Sequence, residues 1–180
     1  MLMGMTHDDF DSAVQRHQQK VFTFARYLLS NREEAEDVTQ EVLVRLWGNL
    51  GSVDPERLGG WLLRVTRNAC YDRLRSHRSQ RRVLAHDAPA KAMEKVATRS
   101  PDPEILAGSS ELGGRLLETI GSLREPQRSS IILREIQGLS YREIAQALDM
   151  TEATVRVTLH RARRSLREQL REAYHGATTA

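Results

Sequence analysis

Residues 140–170 read SYREIAQALDMTEATVRVTLHRARRSLREQL. Ser140 and Glu143 have the spacing of a capping box, in which the two side chains satisfy free backbone N–H groups at a helix start. Asp149-Met150 indicates a tight turn, and Thr151 is placed to cap a second, longer helix. Apolar residues at helical spacing predict its buried face: Val155, Leu159, Ala162, Leu166 and Leu170. The stretch therefore predicts a short helix, a turn and a longer helix.

A helix-turn-helix of this kind places its second helix in the major groove of DNA and reads bases from the N-terminal turns of that helix. The residues predicted on the exposed face are Arg156, Val157, His160, Arg161 and Arg164. Arginine forks fit guanine edges and phosphates. For His160 two alternatives fit equally well: a surface residue that lies against a phosphate, and a residue that contacts a base. Further along the helix we assign the arginines to backbone charge or to the solvated face rather than to specificity: Arg163, Arg167 and Arg171.

The rest of the chain also shows helical periodicity, and no stretch of convincing length has the period of a strand. One stripe begins at Phe10, and a second follows Asn31, a predicted N-cap. A third contains Trp61, Leu62, Val65 and Ala69. Between the last two, residues 50–60 predict a loop, with Gly59-Gly60 as a bend before Trp61. We therefore expect an all-α fold.

Composition divides the chain into two helical domains. Residues 83–111 are rich in Ala, Ser and Pro, which predicts a flexible, slightly acidic linker. In the second domain Pro126 opens a helix and Gly138 is placed to end it. The expected organisation is a disordered N-terminus at 1–9, a first domain at 10–82, the linker at 83–111, a second domain at 112–173 and a tail at 174–180.

The net charge is only +3, but it is unevenly distributed. Residues 61–82 contain seven arginines against one acidic residue, and residues 156–171 contain six against one. Residues 31–45 instead contain five acidic residues against two arginines. This pattern indicates two contacts with polyanions and a separate protein contact. Because only three basic residues are lysines, a coding bias toward arginine is an alternative explanation for the arginine excess.

Several functional classes are excluded at this point. Cys70 is the only cysteine, which rules out an internal disulfide and a multi-cysteine metal site, and we interpret it as a core residue rather than a redox switch. The histidines lack metal-ligand spacing, so we expect neither metal nor cofactor. Apolar runs are far shorter than the ~20 residues of a membrane span, and residues 1–9 do not resemble a secretory signal. From these two observations we expect a cytoplasmic protein. We also expect that it is not an enzyme, because the sequence contains no catalytic triad and no glycine-rich phosphate loop.

Three stretches together resemble the extracytoplasmic-function (ECF, group 4) sigma factors of the bacterial sigma-70 family. The run LREPQRSSIILREIQGLSYREIAQALDMTEATVRVTLHRARRSLREQL at 123–170 is similar to sigma region 4. The runs EEAEDVTQEVLVRLW at 33–47 and WLLRVTRNACYDRLRSHR at 61–78 are similar to region 2. The resemblance implies a transcription initiation factor that binds core RNA polymerase, reads the −35 element with region 4 and captures the melted −10 element with region 2.

The resemblance also implies residue roles. Four residues would dock on a coiled coil of the largest polymerase subunit: Asp37, Val38, Gln40 and Glu41. A second set would contact the −10 element: Ser52, Val53, Asp54, Arg64, Arg67, Asn68, Tyr71 and Arg75. A third set would contact the −35 element: Tyr141, Thr151, Thr154, Arg156, Val157, His160, Arg161 and Arg164. Region 4 would also bind the polymerase beta-flap, and an anti-sigma factor is a further expected partner.

Several alternatives stay open. Charge alone fits Asp37 and Glu41 as an ordinary solvated helix face, and Tyr71 fits the edge of the core as well as a DNA contact. The linker at 83–111 is either a passive tether or an acidic segment that occupies the RNA path of the polymerase. Residues 51–55 read GSVDP, without the bulky residue that many relatives have in this loop, so the resemblance does not fix the captured base.

A magnitude separates an initiation factor from the competing hypothesis, an autonomous helix-turn-helix regulator. Opening on the order of ten base-pair steps costs roughly 14 kcal/mol at about 1.4 kcal/mol of stacking each. Capture of one or two bases returns only about 1–3 kcal/mol apiece. The chain therefore needs the polymerase to open DNA, whereas an autonomous regulator would occupy its site unaided.

Overall fold

The computed structural model describes residues 7–84 and 111–177. Within these ranges all regular secondary structure is helical, which confirms the all-α prediction. The described residues fall into two compact units, one before and one after the gap. Of the expected N-terminal segment 1–9, the linker at 83–111 and the tail at 174–180, the structure describes only residues 7–9, 83–84, 111 and 174–177, all of them at the ends of helices. The remaining residues of these segments lie outside the described residues, so the proposed boundaries stay predictions.

The N-terminal unit consists of three helices, α1 (His7–Leu29), α2 (Arg32–Trp47) and α3 (Leu58–Leu84). A short 3₁₀ helix, Pro55–Arg57, precedes α3. Helix α1 packs against both of the other helices. The apolar stripes predicted from periodicity supply most of the core, whose completely buried members include Val21, Phe24, Leu28, Val38, Val42 and Leu46. This unit holds α2 and α3 against a common partner helix.

The turn between α1 and α2 is fixed by two local interactions. Ser30 adopts a positive φ of 51°, and its N–H donates to the Arg26 carbonyl at 2.8 Å. The Asn31 side chain accepts from the Glu34 N–H at 2.9 Å, which confirms Asn31 as the N-cap of α2. One residue in the left-handed region and one cap are enough to reverse the chain here.

The predicted bend at Gly59-Gly60 is wrong, because both glycines lie in the first turn of α3. The helical path begins earlier than the glycine pair indicates: Asp54 accepts from the Glu56 N–H at 3.0 Å and starts the 3₁₀ turn that leads into α3. A Cβ added to Gly59 would lie 3.2 Å from Cε1 of His17. The missing side chain therefore serves close packing between α1 and the start of α3.

The C-terminal unit is built on α7 (Glu152–Ala177), which packs against α4 (Glu111–Ser122), α5 (Gln127–Ile131) and α6 (Tyr141–Leu148). Helix α5 continues as a π-helical turn, Ile132–Ile136. The core of the C-terminal unit includes these completely or almost completely buried residues: Ile131, Ile132, Leu133, Ile144, Val155, Leu159 and Ala162. The predicted buried stripe of the longer helix is confirmed at Val155, Leu159, Ala162 and Leu166.

The helix ends of the C-terminal unit that the sequence predicted at Gly138 and at Ser140 are confirmed. Gly138 has a φ of 71° and ends the π-helical turn, with the Leu139 N–H donating to the Leu133 carbonyl at 3.0 Å. The Ser140 hydroxyl accepts from the Glu143 N–H, and the Glu143 carboxylate accepts from the Ser140 N–H at 2.7 Å. Asp149 adopts a left-handed conformation and ends α6. The helix-turn-helix geometry follows from these short-range signals.

Among the described helices, none combines the length and the apolarity that crossing a bilayer requires.

The contact between α1 and α3 contains a histidine whose titration is expected to couple to folding. His17 is half-buried beside Gly59, and its pKa is lowered, first by burial and then by the positive charges of Lys20 and Arg16. The unfolded chain therefore binds a proton on His17 at higher pH than the folded chain does. We expect the free energy of unfolding to fall as the pH drops below 6.5, the ordinary pKa of histidine, since protonation favours the unfolded state.

His17→Gln removes this titration and should reduce the loss of stability between about pH 7.5 and about pH 5.5. Tryptophan fluorescence in urea measures the effect selectively, because both tryptophans of the chain, Trp47 and Trp61, lie in the N-terminal unit. An unchanged pH dependence in the variant would show that other groups govern the acid response.

Candidate functional sites

The exposed side of α2 has an acidic face, which we define as Asp37, Gln40 and Glu41. The Asp37 and Glu41 side chains retain 66% and 38% of their exposure, and Gln40 is exposed. Residues three and four apart share one side of a helix, so the three side chains form one surface. This surface provides the two carboxylates and one amide that were predicted to meet a protein partner.

The prediction for Val38 requires a correction. Its side chain is completely buried, together with Val42 and Leu46 on the same stripe. Val38 therefore packs in the core and does not reach a partner. It supports the acidic face only by fixing how α2 is rotated.

An arginine of α3 reaches the acidic face, although the sequence showed it only as part of a basic block. Arg73 Nη1 lies 3.4 Å from Asp37 Oδ2, and Arg73 Nη2 lies 3.6 Å from Glu41 Oε2. Arg45 Nη2 contacts the other oxygen of Glu41 at 2.6 Å. Two guanidinium groups thus offset two carboxylates. The available signal was the spacing of Arg73 from Ala69, because a residue four positions after a buried one follows the same helix side.

Helix α3 presents the residues predicted to contact the −10 element along a face with helical spacing. Arg64, Asn68 and Arg75 are exposed, whereas Arg67 and Tyr71 are half-buried. The Tyr71 hydroxyl oxygen itself is buried, so the alternative of a residue at the edge of the core describes this side chain well. Arg75 forms an ion pair with Asp72 on the same helix.

The loop before α3 is a compact turn. Ser52 is exposed, and its N–H and hydroxyl both donate to the Asn49 carbonyl, at 2.9 and 3.1 Å. Val53 is half-buried. The Asp54 carboxylate already caps the 3₁₀ helix, with Arg57 3.8 Å away. Among the three loop residues of the predicted −10 set, Ser52 is therefore the one with an exposed side chain and no capping role.

Helix α7 separates its buried and exposed residues as its period requires. Arg156, Val157, His160, Arg161 and Arg164 are all exposed. Val157 leaves 50% of its surface accessible, which gives the face one apolar contact point. The next residue, Thr158, is buried, and the adjacent core positions hold the helix in this rotation.

Carboxylates within the C-terminal unit divide the arginines of α7 into two groups. Glu135 contacts Arg163 through Nε at 3.1 Å and Nη2 at 2.6 Å. Glu168 contacts Arg164 Nε at 2.8 Å. The pKa of Arg163 is raised, chiefly by its hydrogen bond to Glu135, and the pKa of Arg164 is raised by Glu168. Within the described part of this unit, Arg156 and Arg161 have no carboxylate partner.

The first turns of α6 and α7 bring the remaining predicted residues together. The Thr151 hydroxyl accepts from the Thr154 N–H at 3.1 Å, and the two hydroxyl oxygens lie 2.8 Å apart. Thr151 and Thr154 therefore form the cap of α7. Tyr141, at the start of α6, is half-buried, and the guanidinium groups of Arg134 and Arg156 lie over its ring.

Comparison with known proteins assigns both units. The family model described as Sigma-70 region 2 matches residues 13–80, and the model described as Sigma-70, region 4 matches residues 113–166. The chain is 34% identical over 171 residues to the ECF RNA polymerase sigma factor SigE of Mycolicibacterium smegmatis, covering 95% of this chain and 64% of that relative. It is 31% identical over 169 residues to the ECF RNA polymerase sigma factor SigW of Bacillus subtilis, covering 92% and 90%.

Solved structures give the same result. The sigma factor RpoE from Bartonella quintana, in complex with the anti-sigma factor NepR, is 27% identical, with a TM-score of 0.67 over 91% of this chain and 97% of that one. CnrH in complex with the cytosolic domain of CnrY is 25% identical, with a TM-score of 0.65 over 93% and 90%.

The contact of Arg73 with the acidic face predicts a stability effect. Arg73→Met should lower the free energy of unfolding of the N-terminal unit by about 0.2–1 kcal/mol, because Asp37 and Glu41 then repel each other across one helical turn. Arg78→Met is the matched control, since Arg78 is an exposed arginine on the same helix. Urea unfolding followed by tryptophan fluorescence measures both variants. The difference between them should shrink at high salt, and equal effects at every salt concentration would contradict the pairing.

Proposed function

The chain belongs to the ECF sigma factors of the sigma-70 family, and from this premise we propose that it directs core RNA polymerase to specific promoters. Sigma factors are not enzymes, and the chemistry of polymerisation belongs to their partner. The proposal rests on two observations. In the helix-turn-helix, Arg156 and Arg161 have no carboxylate partner within the described part of the C-terminal unit. A separate unit matches region 2. Each unit presents one of the two surfaces that promoter recognition requires.

Helix α7 supplies the reading of the −35 element in this proposal. Arg156 and Arg161 can each form a bidentate pair with a guanine, which contributes about 1–3 kcal/mol of discrimination. Val157 offers a methyl contact for thymine, and His160 a contact with base or phosphate. Arg164 is already held by Glu168, so we assign it to phosphate or positioning rather than to base reading. Thr151, Thr154 and Tyr141 lie at the end of α7 that enters the groove.

Helix α3 and the preceding turn supply the capture of the −10 element. Arg64, Arg67 and Arg75 follow one another at helical spacing and can track the phosphates of a single strand. Asn68 is exposed among them and offers an amide to a base edge. Ser52 lies in the turn before α3, where a flipped base of the opened strand would be held.

The acidic face of α2 supplies docking on the polymerase. Its partner would be a coiled coil of the largest subunit with basic side chains, which could replace Arg73 and Arg45 as partners of Asp37 and Glu41. Region 4 would contact the beta-flap. Arg73 contacts the acidic face but belongs to α3, the helix proposed to contact the −10 element. It therefore connects the docking surface to the helix that captures the strand.

Two arguments explain why the protein needs both the polymerase and two DNA-contacting surfaces. Strand opening costs more than base capture returns, so the polymerase must supply the remaining stabilisation. Two DNA contacts on one chain also strengthen each other, because the first raises the effective concentration of the second. We therefore propose a cytoplasmic protein that acts only as part of the polymerase holoenzyme. The autonomous regulator is the less favoured alternative.

We further propose that an anti-sigma factor restrains the protein. The support is that two structurally similar proteins, each matching most of this chain, were solved with partner proteins. One of the two is a sigma factor whose partner is named as an anti-sigma factor.

Transcription in vitro from a promoter library tests the function directly. Core polymerase with the protein should yield RNA from a small set of promoters that share −35 and −10 sequences. Core polymerase alone should not select these promoters. The same pattern of RNA with and without the protein would refute the proposal.

The docking assignment predicts that Asp37→Lys combined with Glu41→Lys abolishes binding to core polymerase. The substitutions reverse the charge of the acidic face while leaving its buried support, Val38 and Val42, unchanged. Co-purification with core polymerase measures binding, and circular dichroism checks that helicity is retained. The control variant is Glu33→Lys combined with Glu36→Lys, two exposed carboxylates of α2 outside the acidic face. Normal binding by the Asp37 and Glu41 variant would remove the docking assignment.

The reading assignment predicts that Arg156→Ala and Arg161→Ala each lower the preference for the cognate −35 element by about fivefold or more, as loss of a bidentate guanine contact requires. Arg164→Ala should instead weaken all −35 sequences to a similar extent. Transcription from single-base −35 variants measures the preference. An unaltered preference in both the Arg156 and Arg161 variants would refute the placement of the reading face.

A further inference from the structure

The ring of Tyr141 connects three arginines of the C-terminal unit. Arg134 Cζ lies over the ring at 5.2 Å from its centroid, and Arg156 Cζ lies over it at 5.9 Å. Tyr141 also contributes, after Glu135, to raising the pKa of Arg163. The cluster therefore joins the first residue of α6 to Arg156 and Arg163 of α7.

We propose that Tyr141 is a positioning residue that aims Arg156 at its base, rather than a residue whose main role is to touch DNA. The inference rests on the proposed function, since it concerns how the same −35 surface reaches its specificity. In this proposal the Tyr141 ring sets the orientation of the Arg156 guanidinium group, and that orientation contributes to base discrimination.

The contacts of the other arginines show why Arg156 needs such support. Arg134 is anchored by a hydrogen bond from Nη1 to the Leu139 carbonyl at 2.7 Å. Glu135 holds Arg163 through two contacts. Arg156 has neither kind of anchor in the described part of the unit, so the Tyr141 ring is the contact that restricts its side chain. An arginine with free rotamers loses more conformational entropy when it forms a bidentate pair.

The position of Tyr141 suits this role. The ring is half-buried, and it follows Ser140, whose capping box with Glu143 fixes the start of α6. Arg134 lies over the ring with its own guanidinium fixed to the backbone. The ring is thus a rigid surface beside a flexible side chain. A cation within about 6 Å of a ring centroid is attracted to the ring face, and planar guanidinium groups are suited to such stacking.

The experiment compares Tyr141→Phe, which keeps the ring, with Tyr141→Leu, which removes it. Holoenzyme assembled from each variant transcribes a set of promoters that differ by single bases in the −35 element. Tyr141→Phe should keep the base preferences of the original protein. Tyr141→Leu should lose about two- to fivefold of discrimination, only at the base pair whose preference Arg156→Ala also loses.

A double-substitution cycle sharpens the test. Adding Tyr141→Leu to Arg156→Ala should produce no further loss of discrimination at that base pair, because the residue being positioned is already absent. If Tyr141→Leu fails to fold by circular dichroism, Tyr141→Gln replaces it, since glutamine is a good helix former that also lacks the ring.

Three results would overturn the proposal. The first is a uniform loss across all −35 sequences in the ring-deleted variant, which would indicate a phosphate contact. The second is additivity of the two substitutions at the affected base pair. The third is a loss in Tyr141→Phe equal to that in Tyr141→Leu, which would assign the role to the hydroxyl.

Failure of the proposed function looks different. If the original holoenzyme shows no promoter selection, the function itself is refuted. If selection is present but Arg156→Ala leaves every −35 preference unchanged, Arg156 reads no base and the role of Tyr141 falls with it.

Discussion

The period of a single helix determines what the C-terminal unit can do. Helix α7 buries Val155, Leu159 and Ala162 completely, and it exposes Arg156, Val157 and Arg161 between them. Because 3.6 residues make one turn, fixing the buried stripe also fixes the direction of the exposed face. The packing of the core therefore also determines which residues lie on the proposed DNA-reading surface. A substitution that rotates α7 would alter promoter recognition without touching a base-reading residue.

Carboxylates refine this arrangement by engaging some arginines and leaving others. Glu135 and Glu168 engage Arg163 and Arg164, and Asp37 and Glu41 engage Arg73. At exposed positions such pairs contribute little to stability. In the proposed function they act instead on specificity, because an engaged guanidinium is less free to pair with a base. In this account the uneven charge of the sequence is sorted by local acids into positioning arginines and reading arginines.

Local sequence signals predicted much of the fold. The capping box of Ser140 and Glu143, the cap at Asn31 and the helix end at Gly138 each depend on neighbours within a few residues, so the sequence contains the whole interaction. The failures depend on contacts between helices. The packing role of Gly59 needs His17 of α1, and the reach of Arg73 needs the acidic face of α2.

The candidate sites divide along the same line. Periodicity predicted the exposed residues of α7, whereas Val38 was assigned to docking although its own apolar stripe required burial. No spacing rule joins Tyr141 to Arg156, because their contact crosses the turn between two helices.

The central claim is that two small helical units select a promoter only together with core polymerase. Footprinting of one strongly selected promoter fragment tests this claim most directly, with the protein alone, core polymerase alone, and both together. The account predicts protection of the −35 and −10 elements, and reactivity of the opened strand, only when both are present. Full protection by the protein alone, unchanged when core polymerase is added, would contradict it.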